Sequence, residues 1–247
     1  MDLSLEGGLN HCFGKNRLLK NRLPKKLLTD MVRTHMQNRP LTAEALMRTA
    51  PVIPVLTIDR IEDAVPLAQA LVKGGLPVLE VTLRTPSALE AIKAIAQSVP
   101  DALIGAGTIR TPEHARQACD HGAQFLVSPG TTPALISCFA HLDCPVLPGC
   151  STISEAMELA EAGFQCLKFF PAEAAGGIPY LKSLSGPLPD LRFCPTGGID
   201  LQKAPSWLAL PNVLCVGGSW VTPADALKDK NWALIEELAA NASKLGR

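Results

Sequence analysis

From residue 40 onward the sequence repeats one unit: a short β-branched or apolar run, a turn, and a segment with helical hydrophobic spacing. The strand candidates are Val52–Ile58, Pro77–Leu83, Ala102–Thr108, Gln124–Ser128, Pro145–Pro148, Gln165–Phe170, Leu191–Thr196 and Asn212–Gly217. Their starts recur about every 23 residues, the length of one strand, one helix and two short connections. Eight such units predict an α/β fold in which parallel strands close on themselves, a single-domain (β/α)₈ TIM barrel over residues 40–247. An open doubly wound sheet would alternate in the same way. No G-x-G-x-x-G follows the first strand, however, and Gly105-Ala106-Gly107 is too short a match to stand for one.

The turns repeat as well. Thr-Pro follows four of the strands, at Thr85-Pro86, Thr111-Pro112, Thr132-Pro133 and Thr222-Pro223. A threonine N-cap with proline in the first helical position supplies an acceptor for orphan amides and a preset φ, so each pair is expected to start a helix. Thr152 and Glu155 have capping-box spacing.

Residues 1–39 are different in kind. Lys15, Arg17, Lys20, Arg22, Lys25, Lys26, Arg33 and Arg39 stand against Asp2, Glu6 and Asp30. A basic arm of this sort suits a nucleic-acid contact or a targeting peptide. With the single serine Ser4 and no cleavage-site pattern, it is expected instead to be a poorly ordered N-terminal extension, or upstream sequence if translation starts at Met31 or Met36. The whole chain has a formal net charge of zero, so no global field recruits nucleic acid or an anionic membrane. No apolar run approaches the roughly 18 residues of a membrane helix, and no signal-peptide core opens the chain. The eight cysteines, Cys12, Cys119, Cys138, Cys144, Cys150, Cys166, Cys194 and Cys215, contain no CxxC pair. They read as reduced core residues of a cytoplasmic protein.

Charged residues inside strand runs that are buried on both faces need an explanation. In Gln165-Cys166-Leu167-Lys168-Phe169-Phe170-Pro171, a period of two puts Cys166, Lys168 and Phe170 on one face and Leu167 and Phe169 on the other. If the latter pair packs on helices, Lys168 points into the barrel. An ammonium there is costly to desolvate, and the neutral amine is the species that attacks a ketone. The same run also suits a lysine paired to a buried carboxylate, or one reaching the barrel mouth.

In Val78-Leu79-Glu80-Val81-Thr82-Leu83-Arg84, residues Glu80, Thr82 and Arg84 share one face, with Arg84 nearest the C-terminal end, where barrel active sites lie. A carboxylate for proton transfer and a guanidinium to fork onto a substrate carboxylate make a keto-acid site. A structural Glu80–Lys168 ion pair would leave Arg84 unexplained. Two glycine clusters, Pro195-Thr196-Gly197-Gly198-Ile199 and Val216-Gly217-Gly218-Ser219-Trp220, follow the last two strands, the habitual phosphate position of barrel enzymes. Glycine pairs also mark tight turns.

These stretches, with Gly105-Ala106-Gly107-Thr108, Ser128-Pro129-Gly130, Leu147-Pro148-Gly149 and Lys168-Phe169-Phe170-Pro171-Ala172-Glu173, resemble the 2-keto-3-deoxy-6-phosphogluconate (KDPG) aldolase family. That family also includes 4-hydroxy-2-oxoglutarate (KHG) aldolase activity. The resemblance covers about residues 50–245 and implies a homotrimeric class I aldolase that uses no cofactor and no metal. It implies Lys168 as the Schiff-base residue and Glu80 as the general acid/base. It further implies Arg84 and Thr108 at the pyruvate part of the substrate, Pro129 and Phe170 lining the pocket, and Thr196, Gly197, Gly198 and Ser219 at the distal end and phosphate. His11, His35, His114, His121 and His141 are scattered and form no ligand cluster. The expected substrate is a phosphorylated keto-deoxy sugar acid, cleaved to pyruvate and glyceraldehyde 3-phosphate. Two rivals remain: a galactonate-type aldolase, which would keep the Schiff base, and a non-catalytic phosphosugar-binding barrel, which would keep only the ion pair.

Overall fold

A computed structural model describes residues 41–246; the basic segment 1–39 and Cys12 lie outside the described residues. The described chain opens with α1 (Ala43–Thr49) and then alternates: β1 (Val52–Leu56), α2 (Ile61–Lys73), β2 (Val78–Thr82), α3 (Ala88–Ser98), β3 (Leu103–Gly107), α4 (Pro112–Asp120), β4 (Phe125–Val127), α5 (Pro133–Phe139), β5 (Val146–Leu147), β6 (Gly149–Cys150), α6 (Ile153–Glu161), β7 (Cys166–Phe169), α7 (Gly177–Ser183), β8 (Arg192–Pro195), α8 (Ala204–Leu208), β9 (Val216–Gly218), α9 (Ala224–Lys228) and α10 (Trp232–Ser243). Neighbouring strands pair in parallel. They form a six-stranded sheet in the order β5-β4-β3-β2-β1-β9 and a three-stranded sheet in the order β6-β7-β8.

The run Pro145–Pro148, expected as one strand, is divided at Pro148. Val146 and Leu147 pair with β4, whereas Gly149 and Cys150 pair with Lys168 and Phe169 of β7. Proline has no N–H to give to a ladder, so the pairing changes partner there. Its carbonyl is still used, accepting from the Lys168 amide at 2.9 Å. The run Asn212–Gly217 also shifts, since its strand is Val216–Gly218. Asn212 instead turns its amide to the Leu181 carbonyl at 2.9 Å, and Val213 closes a turn onto Leu210. Isolated parallel bridges Phe193↔Val213 and Thr196↔Gly217 link the β8 and β9 segments.

The alternation within strands sorts side chains between two surroundings. Leu79 and Val81 of β2, Ile104 and Ala106 of β3, Leu167 and Phe169 of β7 and Phe193 of β8 join the buried hydrophobic cluster made with the helices. Glu80, Gly105, Gly107, Lys168 and Cys194 fall on the opposite faces. On that side Gly105 leaves room for the Phe125 ring, which would collide with any Cβ there.

Two of the four Thr-Pro pairs cap helices as expected: Thr111 accepts from His114 N at 3.1 Å and Thr132 from Leu135 N at 3.4 Å. The other two do not. The Thr85 hydroxyl donates to the Ile58 carbonyl in the loop after β1 at 2.6 Å, and that of Thr222 to Ser219 within its own turn at 3.2 Å. Their helices start later, at Ala88 after Ser87 and at Ala224 after Pro223. The Thr152–Glu155 capping box is complete. Cys150, Cys166, Cys194 and Cys215 are buried, but Cys119, Cys138 and Cys144 are only partly so, which corrects the reading of all cysteines as core. Among the described residues no helix is long and apolar enough to cross a membrane.

Candidate active site

Lys168 and Glu80 reach each other from β7 and β2. Lys168 Nζ donates to Glu80 Oε1 at 3.1 Å, with the two residues 5% and 3% exposed. Their strands hold them firmly: the Lys168 amide donates to Pro148, and Glu80 sits in register with Val55 on one side and Gly105 on the other. Gly107 makes the place for the carboxylate, since a Cβ there would overlap Oε1 of Glu80. A charged pair taken this far from water is weak support for stability, because desolvation offsets most of the Coulomb gain. A site that retains one is a candidate for chemistry.

The Phe170 ring, one step beyond β7, lies 5.5 Å from Lys168 Nζ. Its apolar face shields the amine while tolerating its charge. Thr108 follows β3 directly and has φ +60°, a costly conformation for a β-branched residue. Pro129 follows β4, and its backbone packs so closely on Gly149 that no Cβ could be accommodated at Gly149. Arg84 stands exposed in the turn after β2, where its amide donates to Thr82 at 2.8 Å.

Thr196, Gly197 and Gly198 leave β8, and Ser219 leaves β9. Thr196 is buried against Gly217, and both glycines have positive φ, +107° and +78°. A Cβ on Gly197 would press on Phe170 and Pro171 at 3.4 Å, so this loop touches the wall of the lysine site. Ser219 is exposed. Every residue picked out from the sequence therefore stands at or just past the C-terminal end of a strand, save Glu80 and Lys168 within theirs. Direct contact unites Lys168, Glu80 and Phe170; among the described residues no hydrogen bond or ion pair links Arg84 or Ser219 to them.

Three contributors were not singled out from the sequence. Gly107 lies in the Gly105-Ala106-Gly107-Thr108 motif, where a glycine in a strand run is a usable signal of close approach. Glu173 and Lys203 form an ion pair at 3.1 Å under the Gly197–Gly198 loop. Their separation in sequence hid that. Among the described residues no group of three or more His, Cys, Asp or Glu side chains is placed to hold a metal ion.

Residues 43–238 match the KDPG and KHG aldolase family. A 2-dehydro-3-deoxy-phosphogluconate aldolase of Dickeya dadantii is 49% identical over 207 residues, which is 84% of this chain and 97% of the relative. The KHG/KDPG aldolase of Escherichia coli K12 is 47% identical with the same coverage. Among solved structures, the KDPG aldolase of Legionella pneumophila, with pyruvate captured as a covalent carbinolamine intermediate, is 48% identical. It superposes with a TM-score of 0.81 over 82% of this chain and 98% of that one. With the buried lysine–glutamate pair and the glycine loops in place, these matches assign the chain to the KDPG and KHG aldolase family.

Proposed function

We propose that this carbon–carbon lyase cleaves 2-dehydro-3-deoxy-6-phosphogluconate to pyruvate and glyceraldehyde 3-phosphate through a Schiff base on Lys168. The observation that carries the reading is the dry contact of 3.1 Å between Lys168 Nζ and Glu80 Oε1. A proton crosses it from the ammonium to the carboxylate, leaving the neutral amine to attack the C2 ketone. Glu80, now an acid, protonates the carbinolamine hydroxyl, which leaves as water. The resulting iminium draws electrons from the C3–C4 bond. The Glu80 carboxylate takes the C4 hydroxyl proton as that bond breaks and the aldehyde departs. Protonation of the enamine at C3 and hydrolysis of the imine release pyruvate and restore Lys168.

In this reading Arg84 and Thr108 hold the carboxylate end, and Pro129 and Phe170 line the pocket. Thr196, Gly197, Gly198 and Ser219 receive the distal end and phosphate. The exposed position of Arg84 fits a guanidinium that swings onto an arriving carboxylate. A second substrate, 4-hydroxy-2-oxoglutarate, is favoured by the double name of the Escherichia coli relative. We further take the two sheets as arcs of one closed eight-stranded barrel. That closure is supported by the direct continuation of β5 into β6 through Pro148 and by the Thr196↔Gly217 bridge. The aldolase domain spans residues 40–247 with residues 1–39 outside it, and the working form is a cytoplasmic homotrimer.

Pyruvate release from phosphorylated gluconate and galactonate acids and from hydroxyoxoglutarate tests the substrate choice. Borohydride with pyruvate should fix the label on Lys168. Full turnover after Lys168→Ala would sink the mechanism.

A further inference from the structure

The loop after β8 has its carbonyls tied down one after another. Thr196 O accepts from Ala172 N at 2.8 Å, Gly197 O from Glu173 N at 3.2 Å, and Gly198 O from Lys203 Nζ at 2.9 Å. The peptides concerned are trans, so each carbonyl points opposite to the N–H of the next residue. Fixing three successive carbonyls on one side therefore aims the amides of Gly197, Gly198 and Ile199 to the other. None of those amides donates to a backbone carbonyl among the described residues. Successive amides facing the same way form a concavity for an anion.

Two of the three anchors are main chain; the third is a side chain. Lys203 is brought back over the loop by Asp200, whose Oδ1 accepts from Gln202 N at 3.0 Å and Lys203 N at 2.9 Å. Its ammonium is shared between Gly198 O and Glu173 Oε2, the latter at 3.1 Å. Glu173 is held in turn by Trp207 Nε1 at 3.1 Å, and its Cγ fills the space where a Cβ on Gly198 would stand. Trp207 is completely buried, so the chain of contacts ends in the core.

We propose that Lys203, oriented by Glu173, is a positioning residue for the terminal phosphate of the substrate. It orients the Gly198–Ile199 peptide so that a third amide joins those of Gly197 and Gly198 on the anion. This rests on the aldolase reading above for the identity of the substrate, but the anion cradle itself does not depend on Lys168. Lys203 touches no substrate atom in this account and acts through the loop.

The test compares the wild type with Lys203→Met, Glu173→Gln and the conservative Lys203→Arg. Each is assayed on 2-dehydro-3-deoxy-6-phosphogluconate and on 4-hydroxy-2-oxoglutarate, which has no phosphate, and each is titrated with inorganic phosphate by calorimetry. Lys203→Met should raise KM for the phosphorylated acid and weaken inorganic phosphate about tenfold, as expected for losing one hydrogen bond to a charged group. Its kcat/KM on hydroxyoxoglutarate should fall by less than about twofold, because that acid ends in a carboxylate directly on C4 and does not extend to the phosphate position that the third amide serves. Glu173→Gln should follow Lys203→Met, and Lys203→Arg should restore most of the loss. Equal losses on both substrates would reduce Lys203 to general scaffolding, and unchanged KM and phosphate affinity would also overturn the proposal. If the wild type releases pyruvate from neither acid, the aldolase reading fails. The phosphate titration then decides the cradle alone, with unchanged affinity in Lys203→Met counting against it.

Discussion

The amine of Lys168 and the carboxylate of Glu80 come from strands far apart in sequence, yet meet at 3.1 Å with almost no solvent access. Each is the other's polar partner in an otherwise dry setting. Removing one therefore tests chemistry and stability together.

Lys168→Met should lower pyruvate release by at least about a thousandfold and abolish borohydride trapping, because no other amine replaces the Schiff base. Leaving Glu80 buried without its cation should also cost about 3 kcal/mol, read from the urea midpoint at unchanged slope. A variant that is inactive but fully stable would mean that the carboxylate finds another partner.

Glu80→Gln keeps the shape and a hydrogen-bond acceptor but cannot carry a proton. Turnover should fall about a hundredfold or more. Borohydride trapping with pyruvate should slow without disappearing, since the lysine remains. Complete loss of trapping would make imine formation itself dependent on Glu80.

Gly107→Ala places a methyl group on the Glu80 carboxylate. The carboxylate or strand β3 must move, so kcat should drop more than KM rises, with a stability loss of about 1–3 kcal/mol. An active, equally stable variant would show that Glu80 has freedom to relocate.

Cys119 is held down to about 7 by a hydrogen bond from the Cys144 thiol, whereas burial pushes Cys150 up to about 12 and Cys166 to about 11. A lowered thiol value means thiolate at neutral pH, so iodoacetamide should label Cys119 first among the described cysteines, with the rate rising through about pH 7. Cys144→Ala removes the donor and should move that midpoint up toward the ordinary thiol range. Peptide mapping by mass spectrometry reads both.

The period-two reading of the lysine run correctly separated Leu167 and Phe169 from Lys168, because strands buried on both faces leave a charge few places to go. The Glu80–Lys168 pair stands in the sequence only as one alternative; whether the two meet depends on how β2 and β7 face one another, which no local pattern encodes. Thr111 and Thr132 act as caps, whereas Thr85 bonds to the Ile58 carbonyl, a neighbour only after folding, and Thr222 closes a local turn onto Ser219. Pro148 was legible as the end of a strand. Its role as a switch between two ladders needed both partners in view. The Glu173–Lys203 contact joins residues 30 apart, and so stayed hidden until the loop was built.

The peptides between Thr196 and Ile199 give the two ends of the cleft different susceptibilities to inheritance. On the proposed assignment the ketone end is specified by side chains, each a single codon change from loss. The anion end is specified mainly by main-chain direction, which many sequences can encode provided the two glycines persist. If the loop holds the phosphate as proposed, a lineage, or an engineer, could exchange the tail it accepts by rebuilding the turn around Lys203, while leaving the lysine and its glutamate untouched.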